Sequence, residues 1–256
     1  MHGFLQSIFG TKPHCPPRQH LSAPTLPSAI YAIGDVHGCL ALLHLLHKRI
    51  LADCADIPGE KWLVYLGDYV DRGPNSAGVL DELLSPLPSD VRKITLAGNH
   101  EIMMLEFLDN PAPKSRWLQF GGTETLASYG IDANALMARS KKDRQSLLAS
   151  HIPTEHVELM RTLPLTLSVP GTVFVHAGLR PGVPVHQQSE DDALWIREQF
   201  LTAPAVEGRT VVHGHTPGAD PVVEPGRICV DTGAFATGVL TAAKLTPTEP
   251  IRFIRT

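Results

Sequence analysis

From residue 30 onward, apolar runs of strand length alternate with stretches of helical period, the pattern of an α/β protein. The runs are Ile30-Tyr31-Ala32-Ile33, Trp62-Leu63-Val64-Tyr65-Leu66, Ile94-Thr95-Leu96-Ala97, Val173-Phe174-Val175 and Thr210-Val211-Val212. Each leads into a side chain able to ligate a metal: Asp35, Asp68, Asn99, His176 and, through His213-Gly214, His215. Glycine directly precedes four of these five. In open α/β sheets, ligands bind beyond the carboxyl ends of the strands, and glycine lets the backbone turn or approach a ligand there. Oxygen and nitrogen donors without sulfur suit Mn, Fe, Zn or related ions better than Ca or a thiolate cluster. A lone Asp or Asn after a strand is more often a turn former. Five strand ends agreeing in ligand type make independent turn formation a poor explanation.

Between these strands, Leu40-Ala41-Leu42-Leu43-His44-Leu45-Leu46-His47 reads as a helix with two histidines at i, i+3. No carboxylate joins them in the sequence, so they are expected on a solvated face. Residues 101–163 are mostly helical in period and predict an insertion, either a cap that selects substrates or simply a set of solvated helices. The ligand candidates on either side need one common sheet edge, so no second domain boundary is expected there. Five prolines between positions 11 and 28 predict that residues 1–28 form a disordered or loosely held arm, with 29–256 as the domain. Phe4-Leu5 and Ile8-Phe9 would offer that arm at most one docking turn.

Composition narrows the function classes. A hydrophobic fraction of 43% over 256 residues supports a packed core in one large domain or two small ones. The net charge of −4 argues against a general nucleic-acid binder. No apolar run approaches the roughly 18 residues of a membrane helix. The N-terminus lacks the basic start and apolar run of a signal peptide, which disfavours secretion. Cys15, Cys39, Cys54 and Cys229 form no C-x-x-C pair and fit reduced thiols in a cytoplasmic protein. None has an arginine six positions later, as cysteine-dependent phosphatases require, and no G-x-x-x-x-G-K-[ST] loop is present.

Three blocks carry a resemblance: Gly34-Asp35-Val36-His37-Gly38, Gly67-Asp68-Tyr69-Val70-Asp71-Arg72-Gly73 and Gly98-Asn99-His100-Glu101. With His176-Ala177-Gly178-Leu179 and Gly214-His215-Thr216-Pro217 they follow, in order, the motifs of the phosphoprotein phosphatase family of calcineurin-like metallophosphoesterases. The similarity spans about residues 29–243. Ala97 stands where eukaryotic members usually carry Arg, and Asp231-Thr232-Gly233-Ala234 replaces their toxin-sensitive loop. The chain thus resembles the bacterial and phage type, similar to bacteriophage lambda phosphatase, and no eukaryotic regulatory subunit is implied.

The resemblance implies a four-layer α/β/β/α sandwich of two mixed sheets. It also implies two divalent ions per chain, manganese first, with Fe, Zn, Co or Ni as alternatives. Asp35 and His37 would hold one ion, Asp68 would bridge both, and Asn99, His176 and His215 would hold the second. His213 would share a strand face with His215 and is assigned as a neighbour. Arg72 and Arg197 would clamp phosphate, since a guanidinium fork grips two oxygens at once; Arg180 is a weaker third candidate. His100 would act as general acid, oriented by Asp71. The reaction implied is direct in-line attack on a phosphate monoester by a hydroxide bridging the two metals, without a phospho-enzyme. The expected substrate is a phosphoprotein, serine/threonine first, or a small phosphoester. A dinucleotide polyphosphate hydrolase, similar to the symmetrical diadenosine tetraphosphatases, is the runner-up, and a catalytically silent phospho-ligand binding module stands third. Those hydrolases typically carry Ala where this chain has Asp71.

Overall fold

The computed structural model describes residues 17–256. Eleven strands form two sheets among these residues. One sheet has the order β11-β10-β2-β3-β4, with β2 Ala29–Ile33, β3 Lys61–Tyr65, β4 Val91–Thr95, β10 Thr241–Leu245 and β11 Arg252–Arg255. The other has the order β1-β5-β6-β7-β9-β8, with β1 His20–Ser22, β5 Thr166–Val169, β6 Thr172–Val175, β7 Thr210–His213, β8 Val222–Glu224 and β9 Arg227–Cys229. Both sheets mix parallel and antiparallel pairs, and the expected α/β/β/α sandwich is what the chain adopts.

The period-2 alternation of the strands sorts the core into two parts. Ile30 and Ala32 of β2, Trp62 and Val64 of β3 and Ile94 of β4 meet Leu167, Phe174, Val212 and Ile228 of the facing sheet. The alternate residues Ala29, Tyr31, Ile33, Leu63 and Tyr65 pack instead with Leu43, Leu46 and Ile50 of α1 (Leu40–Cys54) and Val79 and Leu80 of α2 (Ser76–Leu84). Helix α3 (Asn99–Asp109) opens the insertion. A π turn at Leu118–Gly122 follows, then α4 (Thr123–Ser128), α5 (Ala133–Met137), α6 (Lys141–His151) and α7 (Thr154–Thr162). Further on lie α8 (Glu190–Trp195), α9 (Glu198–Leu201) and α10 (Ala234–Thr237). No helix among the described residues is long and apolar enough to cross a membrane.

Register places the site. Ile33, Tyr65 and Thr95 pair across β2, β3 and β4, so the loops bearing Asp35, Asp68 and Asn99 leave one level edge. In the other sheet β6, β7 and β9 are parallel, and His176, His215 and Asp231 follow their carboxyl ends.

Two expectations need correction. Residues 20–22 of the supposed arm form β1, paired in parallel with β5 from His20↔Thr166 to Ser22↔Ser168. Arg18 fastens the segment further, donating to the Glu190 carboxylate at 3.2 Å and to the carbonyls of Met160 and Leu163 at 2.9 and 2.8 Å. The hydrogen-bonding edge of β5 orders a strand too short to show any periodicity. The apolar pairs at 4–5 and 8–9 lie outside the described residues. The second correction concerns α1. His44 is exposed, but His47 is buried, and Glu82 of α2 joins them, at 3.2 Å from His44 Nε2 and 2.9 Å from His47 Nδ1. His47 Nε2 lies 2.7 Å from the Tyr65 hydroxyl, so the imidazole is satisfied on both sides.

Candidate metal centre

The strand-end residues converge as the sequence pattern requires. Asp35, His37, Asp68, Asn99, His176 and His215 are all buried. Asp68 belongs to two groups whose ligand atoms lie within 4.8 Å of one another: His37, Asp68 and His100, and Asp68, His176 and His215. Its two oxygens face opposite ways. Oδ2 is 3.5 Å from His37 Nε2, while Oδ1 is 3.4 Å from His176 Nε2. Asn99 Oδ1 is 2.9 Å from the same His176 nitrogen. Asp35 lies at the edge of the cluster, accepting from the His215 backbone N–H at 3.1 Å. His213 stays out of it: its Nδ1 is bound to the Gly214 carbonyl and its ring packs edge-on against Phe200.

The donor set fits divalent cations. His37 and His176 each give Nδ1 to a backbone carbonyl, of Val70 at 2.8 Å and Leu66 at 2.9 Å, which turns Nε2 into the cluster as a lone-pair donor. Burial pushes His176 down to about 3 and His215 down to about 2, so both are neutral imidazoles near pH 7, the form that can ligate a metal. His215 Nε2 is buried without a hydrogen-bond partner. Burial and the neighbouring carboxylates Asp231 and Asp68 push Asp35 upward; Asp231 itself is pushed up to about 6, chiefly by burial. Buried carboxylates crowded in this way are stabilised by added positive charge.

The backbone carries the same signature. Among the described residues, the non-glycine positions with left-handed φ are His37, Asp68, Asp71, Arg72 and His215, all at this site. Such conformations cost about 1 kcal/mol or more and persist where the surroundings hold them. Glu101 is one such support. Its buried carboxylate accepts backbone N–H groups of Tyr69 at 2.7 Å, Asp68 and Gly98 at 3.0 Å, and Val70 at 3.2 Å. Glycine before the ligand is explained by close approach: a Cβ at Gly214 would lie 2.1 Å from Asp35 Oδ1, and one at Gly98 2.2 Å from Asp68 N.

Around the cluster, the three arginines separate. Arg180 is held by Asp192, at 2.8 Å from its Nε, and by Gln199 at 2.9 Å. Arg72 and Arg197 have no carboxylate partner among the described residues. The Arg72 guanidinium lies 3.0 Å from His37 Nε2 and 3.2 Å from His100 Nε2, and covers the ring of Phe235. The exposed Arg197 is near enough for its charge to act on Asp68, His176 and His215. His100 gives Nδ1 to Asp71 Oδ2 at 2.6 Å, leaving Nε2 directed to Arg72 and, at 3.8 Å, to Asp68 Oδ2. Burial pushes the Cys39 thiol up to about 11, which leaves it protonated and no nucleophile.

A family model described as calcineurin-like phosphoesterase matches residues 28–236. The chain belongs to that family. As a calcineurin-like phosphoesterase it carries the donor set of a dinuclear metal centre. It is 29% identical over 227 residues to serine/threonine-protein phosphatase 1 of Salmonella typhimurium, covering 84% of this chain and 91% of that protein. It is 28% identical over 242 residues to the asymmetrical bis(5'-nucleosyl)-tetraphosphatase PrpE of Oceanobacillus iheyensis, covering 85% and 88%. The crystal structure of the cold-active protein-tyrosine phosphatase of a psychrophilic Shewanella superposes with a TM-score of 0.58 at 18% identity, covering 96% and 86%. That last likeness bears on the fold alone.

Glu101, Phe235, Asp231, Trp117 and Thr125 are site components that sequence reasoning left without a role. Glu101 alone had a local signal, three residues past Gly98 in the position of a capping-box carboxylate.

Proposed function

We propose that the chain is a metal-dependent phosphomonoesterase acting on phosphoprotein side chains. The observation that carries this reading is the buried His100–Asp71 pair, at 2.6 Å, beside a metal-competent cluster and two arginines without carboxylate partners among the described residues. A serine or threonine alkoxide is a poor leaving group, so a positioned acid is worth most for alkyl phosphates, typically 10²–10⁴-fold.

In this reading Asp35, His37 and Asp68 hold one ion, and Asp68, Asn99, His176 and His215 hold the other. When bound, two divalent ions supply an activated water and offset the charge of the phosphate. Arg72 and Arg197 grip the phosphoryl oxygens by paired N–H donors. His100 acts as the acid at Nε2 once Arg72, whose N–H faces that nitrogen at 3.2 Å, turns to the phosphate; Nε2 then takes up a proton and delivers it to the leaving oxygen. Asp71 holds the Nδ1–H, which keeps Nε2 aimed outward and supports the imidazolium.

A second reading, hydrolysis of dinucleoside polyphosphates, is favoured by the PrpE relative and by Phe235, whose 42% exposed ring beside Arg72 offers a stacking surface for a base. The two are separated by kcat/KM for a phosphoserine peptide and for diadenosine tetraphosphate, measured side by side at one Mn²⁺ concentration. Preference for the peptide is expected; the opposite preference moves the chain to the second reading.

A further inference from the structure

We propose that Trp117 and Thr125, both supplied by the helical insertion, are positioning residues for proton donation by His100, acting through Asp71. The proposal rests on the phosphomonoesterase reading and concerns what aims its acid.

The Asp71 carboxylate is wholly buried, and its lone pairs are taken up by three donors. His100 Nδ1 meets Oδ2 at 2.6 Å. Trp117 Nε1 donates to Oδ2 at 2.8 Å and Oδ1 at 3.0 Å. The Thr125 hydroxyl donates to Oδ1 at 2.7 Å. Thr125 Oγ1 also accepts the backbone N–H of Asp71 at 2.8 Å, and Ser76 Oγ accepts that N–H at 3.0 Å. Because the one Thr125 proton is spent on Oδ1, the 2.9 Å contact between the two hydroxyls assigns Ser76 as donor there. The residue is thereby held at both ends in a left-handed conformation, φ 75°, that an aspartate rarely keeps.

The insertion is fitted to this turn by backbone as well. The Arg72 N–H donates to the Gly121 carbonyl at 3.3 Å, and a Cβ on Gly121 would come within 2.4 Å of Arg72 N. Gly122 lies against the Trp117 indole, where a Cβ would sit 2.5 Å from the ring. The indole is thus set by its own chain neighbour. With Oδ1 claimed by Thr125 and the indole spanning both oxygens, only one carboxylate orientation presents Oδ2 to Nδ1. That orientation fixes the direction of the other imidazole nitrogen. Loss of either donor leaves a charged carboxylate free to rotate and an imidazole free to follow it.

The test uses the full chain loaded with zinc, a diamagnetic ion, in Thr125→Val, Trp117→Phe and the conservative Thr125→Ser forms. Thr125→Val should lower kcat on a phosphoserine peptide about 10–100-fold while changing p-nitrophenyl phosphate by less than about 3-fold. Thr125→Ser should restore the alkyl rate. In an Asp71→Asn background, Thr125→Val should add nothing, since both act on one proton. Equal losses on the two substrates, or full additivity with Asp71→Asn, overturn the proposal. The low-field proton resonance of the His100 Nδ1–H is the readout independent of turnover. It should shift or broaden in Thr125→Val and Trp117→Phe, and an unchanged resonance in Thr125→Val also overturns the proposal. If Asp71→Asn slows both substrates alike while that resonance still responds to Thr125→Val, the general-acid reading fails and the positioning contact stands.

Discussion

Replacing Glu101 with glutamine isolates the support of the Asp68 turn from the metal chemistry. Both Glu101 oxygens face only backbone donors, Tyr69 and Val70 N–H on Oε1, Asp68 and Gly98 N–H on Oε2. An amide has one acceptor oxygen, so whichever way it sits its NH2 faces two N–H groups. Two buried backbone donors are then orphaned at about 1–3 kcal/mol each, a loss of about 4 kcal/mol in all. For a domain of this size, that lowers Tm by about 8–16 °C. The measurement is urea unfolding and calorimetry of chelator-treated wild type and Glu101→Gln, so that bound metal does not mask the difference. The left-handed Asp68, φ 52°, should also lose its fixed geometry, and the variant should bind metal more weakly. A loss below about 1 kcal/mol, the size of an ordinary surface substitution, would refute the argument that this carboxylate holds the turn.

Other outcomes follow from the same geometry. Asp68→Ala should lose both metals by elemental analysis, since its two oxygens face the two ligand groups; retention of two per chain contradicts the bridging role. His215→Ala should abolish turnover of p-nitrophenyl phosphate, whereas His213→Ala, outside the cluster, should only weaken it. Burial holds His213 at about 4, below its ordinary value near 6.5, so the folded state keeps it neutral. Its contribution is therefore full above pH 6.5 and is lost as pH falls toward 4, about 3 kcal/mol in all. Urea titrations across that window should show a stability curve flatter by that amount in His213→Phe than in wild type.

Much of the site was legible because its candidate ligands sit at strand ends, where a short apolar run and a glycine mark both the strand and the turn. Asp35, Asp68 and Asn99 leave a level edge because β2, β3 and β4 pair in register, and the strand-end pattern already implied one common edge. What escaped depends on contacts far apart in sequence. His47 looked solvated because the carboxylate that satisfies it, Glu82, comes from the next helix. Trp117 and Thr125 read as insertion residues until folding laid them on Asp71, 46 and 54 positions away. Residues 20–22 have no apolar period; their order comes from the open edge of β5. Arg180 was already the weakest of the three arginine candidates, but nothing local marks it as bound to Asp192; that pairing shows only in the fold.

The most direct measurement is turnover of p-nitrophenyl phosphate by chelator-treated protein as Mn²⁺ is titrated back. The account predicts no turnover without metal and full recovery as two ions bind per chain, with no recovery in Asp68→Ala. Undiminished turnover after chelation, or none with any divalent ion, would contradict it.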